Sequence, residues 1–438
     1  MDRLLRDNFL CVDGSVDFGK EVAPMALPLA GIRVLDVASI LAGPYGATML
    51  ADMGADVIKI EPPRGDECRY FQPRIGMDSA MYVSLNRNKR GIVLDLGQPA
   101  GREAYIRLLK TADIVVENLR PAAKAKLGID YEASRVYQPR LIYISVSTFG
   151  QTGPYAHRPG IDPIAQAMSG FMAVTGERGG QPLKAGPAVA DATCAMLVAY
   201  AAMLGLWVRE KQGIGQHIEV CLLDGLIHLQ APYVGRYFLF DEIVPRVGNG
   251  SVDYAPYGSF RCRDGQLIQI AVFNQKFWLN FCRALAHDEL THDPRFSTNE
   301  GRLEHRVELE AIVQRIMLER DASEWLQRLE SADVIAGPVF TYRETFQDPQ
   351  VRHNQMVVEV EHATLGWIKA HGLPVKLDRT PGQVRQAAPI LGQHSEAILR
   401  EAGYTTEEIR ELMAKGITST GAAQRQAGDV EHGSSSPG

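Results

Sequence analysis

Ile32-Arg33-Val34-Leu35-Asp36, then Ala47-Thr48-Met49-Leu50-Ala51-Asp52-Met53, then Asp56-Val57-Ile58-Lys59-Ile60-Glu61 are the three stretches that decide the fold. The first and third are short apolar runs rich in branched residues, the signature of buried strands, and the second has helical composition. Gly43-Pro44-Tyr45-Gly46 between them reads as a turn. Strand, helix, strand at this spacing is a βαβ unit with parallel strands and a right-handed crossover. The same grammar continues outward: strand Gly91–Asp95, helix Pro99–Lys110, strand Asp113–Glu117 and strand Leu141–Val146. The chain therefore builds an α/β fold around an open parallel sheet, with ligands expected off the carboxyl ends of its strands. The first strand is followed by Ile40-Leu41-Ala42-Gly43-Pro44-Tyr45-Gly46 rather than Gly-x-Gly-x-x-Gly, which argues against a nicotinamide dinucleotide.

Three loops beside these strands carry cations: Pro62-Pro63-Arg64-Gly65-Asp66, Leu85-Asn86-Arg87-Asn88-Lys89-Arg90, and Asn118-Leu119-Arg120-Pro121 with Lys124 and Lys126. Cations at the binding edge of such a sheet suit phosphates, and each alone is equally read as solvated surface charge. Further on, Gly186-Pro187-Ala188-Val189-Ala190-Asp191-Ala192-Thr193 opens an apolar run from Cys194 to Val208, closed by Lys211, Gly213 and Gly215. This predicts a buried helix of about 30 Å that begins at one carboxylate. Asp191 reads either as an N-cap or as an ionised carboxylate aimed at a ligand from the positive end of a helix, and the two are compatible. The 15 uninterrupted apolar residues from Cys194 to Val208 fall short of the ~20 needed to span a bilayer, so a core helix is expected and no membrane partner.

With 438 residues the chain is long enough for two or three domains. A net charge of −6 makes no case for nucleic acid. Six cysteines without metal or disulfide-framework spacing suit a reducing cytoplasm, and the eleven histidines suggest no metal site. Met25-Ala26-Leu27-Pro28 reads as an alternative start, leaving an N-terminal extension over residues 1–26 with no signal-peptide pattern. After strand His217–Val220 and the helical stretch Leu222–Phe240, Val244–Asp253 reads as linker. A smaller domain follows, with strands near Tyr257–Cys262 and Leu267–Ala271 and helices from Lys276, Arg302 and Ala322. Gln355–Glu361 and Trp367–Ala370 resume strand grammar, and Thr418–Gly438 has the composition of a disordered tail.

Taken in order, Leu29–Asp36, Ala42-Gly43-Pro44, Gly54–Glu61, Asn86–Arg90, Val116-Glu117-Asn118, Phe149–Pro154 and Gly392-Gln393-His394-Ser395 resemble the class III CoA-transferases. The likeness runs from Leu29 to Ile409. It implies a large Rossmann-like domain (residues 27–225), a linker (226–253), a smaller α+β domain (254–345), a return to the large domain (346–417), a tail (418–438), and a homodimer of interlocked rings. It also implies coenzyme A as a substrate rather than a permanently bound cofactor, with CoA esters and small carboxylates as partners. The family nucleophile falls on Asp191. Positions in contact with CoA fall on Leu41, Ala42, Leu94 to Gly97, Asn118, Leu119, Arg120, Lys126, and Pro159 through Gly160 and Ile161 to Asp162. A basic family residue falls on Pro62, with Arg64 as its substitute, and a glycine-rich loop of formyl-CoA transferase is replaced by Val272-Phe273-Asn274-Gln275, which argues against formyl-CoA and oxalate. The resemblance points to succinyl-CoA as donor and a C4–C6 dicarboxylate as acceptor.

A low-pKa Asp191 would attack the acyl-CoA and carry CoA as a thioester, its oxyanions held by amides of its own turn. Two other readings compete. The racemases of the superfamily carry a Gly-His-Asp triplet, but here it is Gly160-Ile161-Asp162, and isoleucine moves no proton. In the other, the chain is a non-catalytic nucleotide-binding scaffold in which Asp191 only caps its helix. Asp162 reads either as the cap of a helix through Met168 or as a neighbour of CoA.

Overall fold

Six parallel strands carry the larger part of the chain: β1 (Arg33–Asp36), β2 (Asp56–Glu61), β3 (Lys89–Val93), β4 (Ile114–Glu117), β5 (Ile142–Ser147) and β6 (Gln216–Cys221). The computed structural model describes residues 26–421. The strands lie in the order β3-β2-β1-β4-β5-β6. That is the Rossmann order, in which the direction of winding reverses between β1 and β4. The central strands β1, β2 and β4 are built on Val, Ile and Leu covered on both faces, as a buried parallel sheet requires, while the edge strand β6 is only half covered. One face packs against α1 (Ala42–Asp52) and the long helix α4 (Val189–Gln212). The other face packs against Pro99–Leu109 and, from the end of the chain, Ser395–Glu401 and Thr406–Ala414.

A second core lies under an antiparallel sheet of Tyr257–Arg261, Leu267–Ala271 and Ile335–Pro338, covered by Gln275–Leu285, Arg306–Met317 and Ala322–Ser331. A hairpin of Val357–His362 and Gly366–His371 follows. The chain then returns to the large sheet, where the amide of Asp95 donates to the carbonyl of Ile417 at 2.8 Å.

Several expectations are corrected. Gly43-Pro44-Tyr45-Gly46 is the first part of α1, not a turn. Proline is tolerated there because its missing N–H belongs to the unpaired first turn. Both glycines answer to close approach: a Cβ on Gly43 would stand 2.4 Å from that of Ala38, and one on Gly46 would stand 2.6 Å from Val198 of α4. The long helix has 24 residues and begins at Val189. By length and composition it is apolar enough to cross a membrane. Only one face of it is buried, through Cys194, Ala195, Val198, Ala201 and Ala202, while Met196, Tyr200 and Trp207 are exposed. The stretch 222–240 is two helices, α5 (Leu222–Leu229) and α6 (Ala231–Phe240), divided at Gln230 just before Pro232.

The cations of Asn86–Arg90 are not free for a phosphate. Lys89 is fully buried, bonding Asp36 at 2.7 Å, and Arg87 forks onto Asp52 at 3.1 and 2.7 Å. Arg90 pairs with Asp56 and Glu401. These residues run into β3 from the amino edge of the sheet, away from its binding edge. The N-terminal extension lies outside the described residues except for Ala26, as does the tail beyond Gly421. At Thr418 the expected disorder does not begin, because that residue is buried against the returning chain.

Candidate active site

A cavity of about 700 Å³ opens at the carboxyl ends of β1, β4 and β5. Open α/β sheets bind ligands at this place, because the loops after β1 and β4 diverge where the winding reverses. Its walls are Ser39 to Ala42 after β1, Asn118 to Pro121 after β4, Val146 to Gly150 at and beyond the end of β5, and Arg158 to Ile161, with Asp191 and Leu222 also in the lining. Asn118 ties the first two loops together: its Oδ1 accepts from the Ser39 amide at 2.9 Å and its Nδ2 donates to the Ser39 carbonyl at 2.7 Å.

Two helices start at this cavity, and their first turns differ. In α1 no side chain caps the helix and no acidic residue stands in the first turn. The amides of Leu41, Ala42 and Gly43 have no partner among the described residues. They form a ready place for negative charge, with the helix dipole behind them. In α4 the amides of the first three helical residues are taken. Val189 donates to the Pro187 carbonyl at 2.9 Å, and the amides of Ala190 and Asp191 donate to Asp162 Oδ1 at 2.7 and 3.2 Å.

This corrects three expectations. Asp191 is not the N-cap of its helix but sits in its first turn, after Ala188 in the cap position. Asp162 does not cap its own helix, α3 (Asp162–Met168), where it is the first helical residue; it caps α4 instead. The amides of Ala190 and Asp191 are engaged by that cap, so these two are not free for an oxyanion.

Asp191 itself is half-buried, and its carboxylate accepts no hydrogen bond among the described residues. Burial, then the charge of Asp162, pushes its pKa up to about 7. The expectation of a low-pKa carboxylate is thereby corrected: the group is poised between its acid and its anion near neutrality. Such shifts cluster at functional sites.

Of the positions expected to touch CoA, Leu41, Ala42, Asn118, Leu119, Arg120, Gly160 and Ile161 line the cavity together with Asp191. Asp162 lies behind the wall, buried. Arg64, Lys126 and the segment Leu94 to Gly97 do not line the cavity. Leu94 is in the core beneath the sheet, Gly97 and Lys126 are exposed elsewhere, and Arg64 is exposed and paired with Glu67 at 3.2 Å. Lys124 is not a phosphate ligand; it is buried, bonding Glu117, Ser145 and Gln151. Ile161 is 62 % exposed at the wall, where an acyl-CoA racemase would need its proton carrier.

Sequence reasoning missed Ser39, Ile40, Phe149, Tyr155 and Arg158. Arg158 lies 5.2 Å over the ring of Tyr155 and 5.7 Å over that of Phe149. The loop Phe149–Pro154 was visible as a motif, but nothing local marked it as the prop of a guanidinium at the cavity.

Comparison with known proteins gives these features a setting. The description "CoA-transferase family III" matches residues 29–395. The chain belongs to that family. It is 40 % identical over 382 residues to the succinate–glutarate CoA-transferase of Agrobacterium fabrum, covering 85 % of this chain and 95 % of that one. It is 34 % identical over 393 residues to the human succinyl-CoA:glutarate CoA-transferase, covering 89 % and 90 %. Among solved structures, a CAIB/BAIF family protein from Brucella suis superposes with a TM-score of 0.80 at 33 % identity, covering 86 % of this chain and all of that one. The protein is thus an enzyme, a CoA-transferase, on the Rossmann-like fold expected.

The raised pKa of Asp191 has a consequence for the stability of this CoA-transferase. A carboxyl whose folded-state pKa lies above its unfolded value stabilises the fold when protonated, fully below about pH 4, and that contribution is lost as pH rises through about 7. Asp191→Asn cannot ionise and escapes the loss. The variant should melt at the same temperature as wild type near pH 4 and a few degrees higher at pH 8, a difference on the order of 2 kcal/mol. Thermal denaturation across that range checks it; a variant less stable than wild type at pH 8 would contradict the assigned environment.

Proposed function

We propose that the enzyme moves coenzyme A from succinyl-CoA to a C4–C6 dicarboxylate, glutarate foremost, through a thioester formed on Asp191. One observation carries the reading: an unpartnered carboxylate stands in the ligand cavity beside a helix start whose amides are free. The choice of acids is supported by the relatives, whose names pair succinate or succinyl-CoA with glutarate, D-citramalate or mesaconate.

Transfer must keep the free energy of the thioester, so water must not be the nucleophile; a carboxylate meets that need. An Asp191 oxygen bonds to the thioester carbonyl carbon, the C–S bond breaks, and CoA leaves as thiolate with the electron pair. The thiolate then bonds to the carbonyl carbon of Asp191. The bond from that carbon to the bridging oxygen breaks, and the donor acid departs as its carboxylate, taking that oxygen. The acceptor carboxylate repeats the two steps in reverse order. Charge is conserved throughout and no proton moves. Each tetrahedral oxyanion is held by the amides of Leu41 and Ala42, worth about 3 kcal/mol per donor. Arg120 and Arg158, exposed in the cavity wall, meet the anionic groups of the substrates.

We further propose a homodimer. Phe238, Leu239, Phe240 and Ile243 are between 75 and 82 % exposed and nearly consecutive. An apolar patch of this kind marks an association surface. Light scattering that returns the mass of one chain at micromolar concentration would refute it.

The transfer reading is tested by mass spectrometry of a donor and acceptor panel. With succinyl-CoA and glutarate the wild type should form glutaryl-CoA. With donor and no acceptor, the peptide containing Asp191 should gain the mass of CoA less one water, because the oxygen lost from Asp191 leaves with the donor acid. Asp191→Asn should lower turnover by on the order of 10⁴-fold and show no adduct. Undiminished exchange in the variant, or CoA carried on another residue, would remove Asp191 from the mechanism.

A further inference from the structure

Asp162 is a buried carboxylate that the transfer steps leave unused. It is 6 % exposed and does not line the cavity. Its Oδ1 receives the amides of Ala190 and Asp191, and its Oδ2 receives the side-chain amide of Gln166 at 2.6 Å. The Gln166 carbonyl oxygen accepts in turn from the amide of Ala185 at 2.9 Å. This chain of bonds joins α3 to the segment before α4 and to the turn bearing the nucleophile.

Capping alone does not call for a charge, since Asn or Ser serves a helix start as well as Asp. A second carboxylate beside the half-buried Asp191, which bonds no cation among the described residues, raises the energy of the Asp191 anion. The groups facing Asp191 are Asp162 from α3, Cys194 nearby on its own helix, and Glu67, Arg120 and Arg158 around the cavity. Of these, only Asp162 bonds the turn that carries it.

We propose that Asp162 is the positioning residue for Asp191: its two amide bonds fix the turn that presents the nucleophile, and its charge makes the free Asp191 carboxylate less favourable than the neutral anhydride and thioester formed on it. The inference rests on Asp191 being the nucleophile. In the first half-reaction the negative charge at Asp191 is exported with the donor acid, and a neighbouring fixed anion favours that export. The same charge holds the aspartyl-CoA state populated until the acceptor arrives.

Asp162→Asn keeps an oxygen for the two amides and removes the charge, and Asp162→Ser, another capping residue, does the same with a smaller side chain. In either variant the acid limb of the kcat/KM profile for succinyl-CoA should move down by about one pH unit. The ratio of aspartyl-CoA to free enzyme at fixed succinyl-CoA and succinate should then fall about 10-fold, since one unit corresponds to a factor of ten in an equilibrium constant. Asp162→Glu keeps the charge and should keep the wild-type limb, even with a lower kcat. A folded Asp162→Asn with the wild-type limb and adduct fraction would reduce Asp162 to a cap and overturn the proposal. Failure of both uncharged variants to fold would assign Asp162 to the fold alone and overturn it as well. Absence of any adduct in the wild type is a different result, since it would overturn the role of Asp191 itself.

Discussion

The site depends on two helices packed at glycine distance. Where Gly46 of α1 meets Val198 of α4, a Cβ would stand only 2.6 Å away, and Gly205 of α4 meets Ile142 of β5 almost as closely, at 2.7 Å. Backbones that approach this far exclude any larger residue, because overpacking a close contact displaces the elements themselves. The approach sets the starts of α1 and α4 at one cavity. One start is left uncapped, with free amides; the other is capped by Asp162 and carries Asp191. A helix start with unpartnered amides and a carboxylate are thereby brought to one cavity by packing that touches neither. The unfavourable carboxylate pair is carried by the large apolar core of which Ala190, Cys194 and Val198 are part.

Buried ion pairs hold the loops on which that geometry rests. Lys59 bonds the carbonyl of Ala38 and pairs with Asp66 at 2.9 Å, while Asp66 takes the amide of Ile40, a residue at φ +70°. Glu61 in turn receives Arg69 at 2.7 and 2.8 Å and the Asp66 amide at 2.9 Å. Removing one partner from such a network leaves an uncompensated buried charge, at a cost of about 3–5 kcal/mol. These cations stiffen the walls of the cavity rather than touch its contents.

The strands were legible in the sequence because short branched runs between turn residues leave little choice, and β2 and Leu267–Ala271 carry the expected bounds. The edge strand Ile335–Pro338 was not, since Gly337 and Pro338 weaken a strand pattern that pairing on one side supports. Gly43 and Gly46 look like turn residues to any local reading, and only their neighbours across the helix pair show otherwise. Asp191 was found as the carboxylate at the long helix, but its cap was credited to itself. The true cap is 29 positions earlier in the chain. Lys89 and Arg87 were likewise read as free cations because their acids stand 53 and 35 positions away. Local pattern reveals which residues bear charge; it does not reveal which charges have already been spent.

The central claim is that CoA passes through the carboxyl group of Asp191, and the oxygen atoms record it. When an acceptor carboxylate attacks the aspartyl-CoA thioester, one of its oxygens bridges the two carbonyls and stays on Asp191 when thiolate takes the acyl group. Turnover with succinyl-CoA and glutarate labelled with ¹⁸O in both carboxylates should therefore place ¹⁸O in the peptide containing Asp191, and then in released succinate. Label in succinate with none in that peptide, or none in either under conditions where glutaryl-CoA forms, would contradict the account.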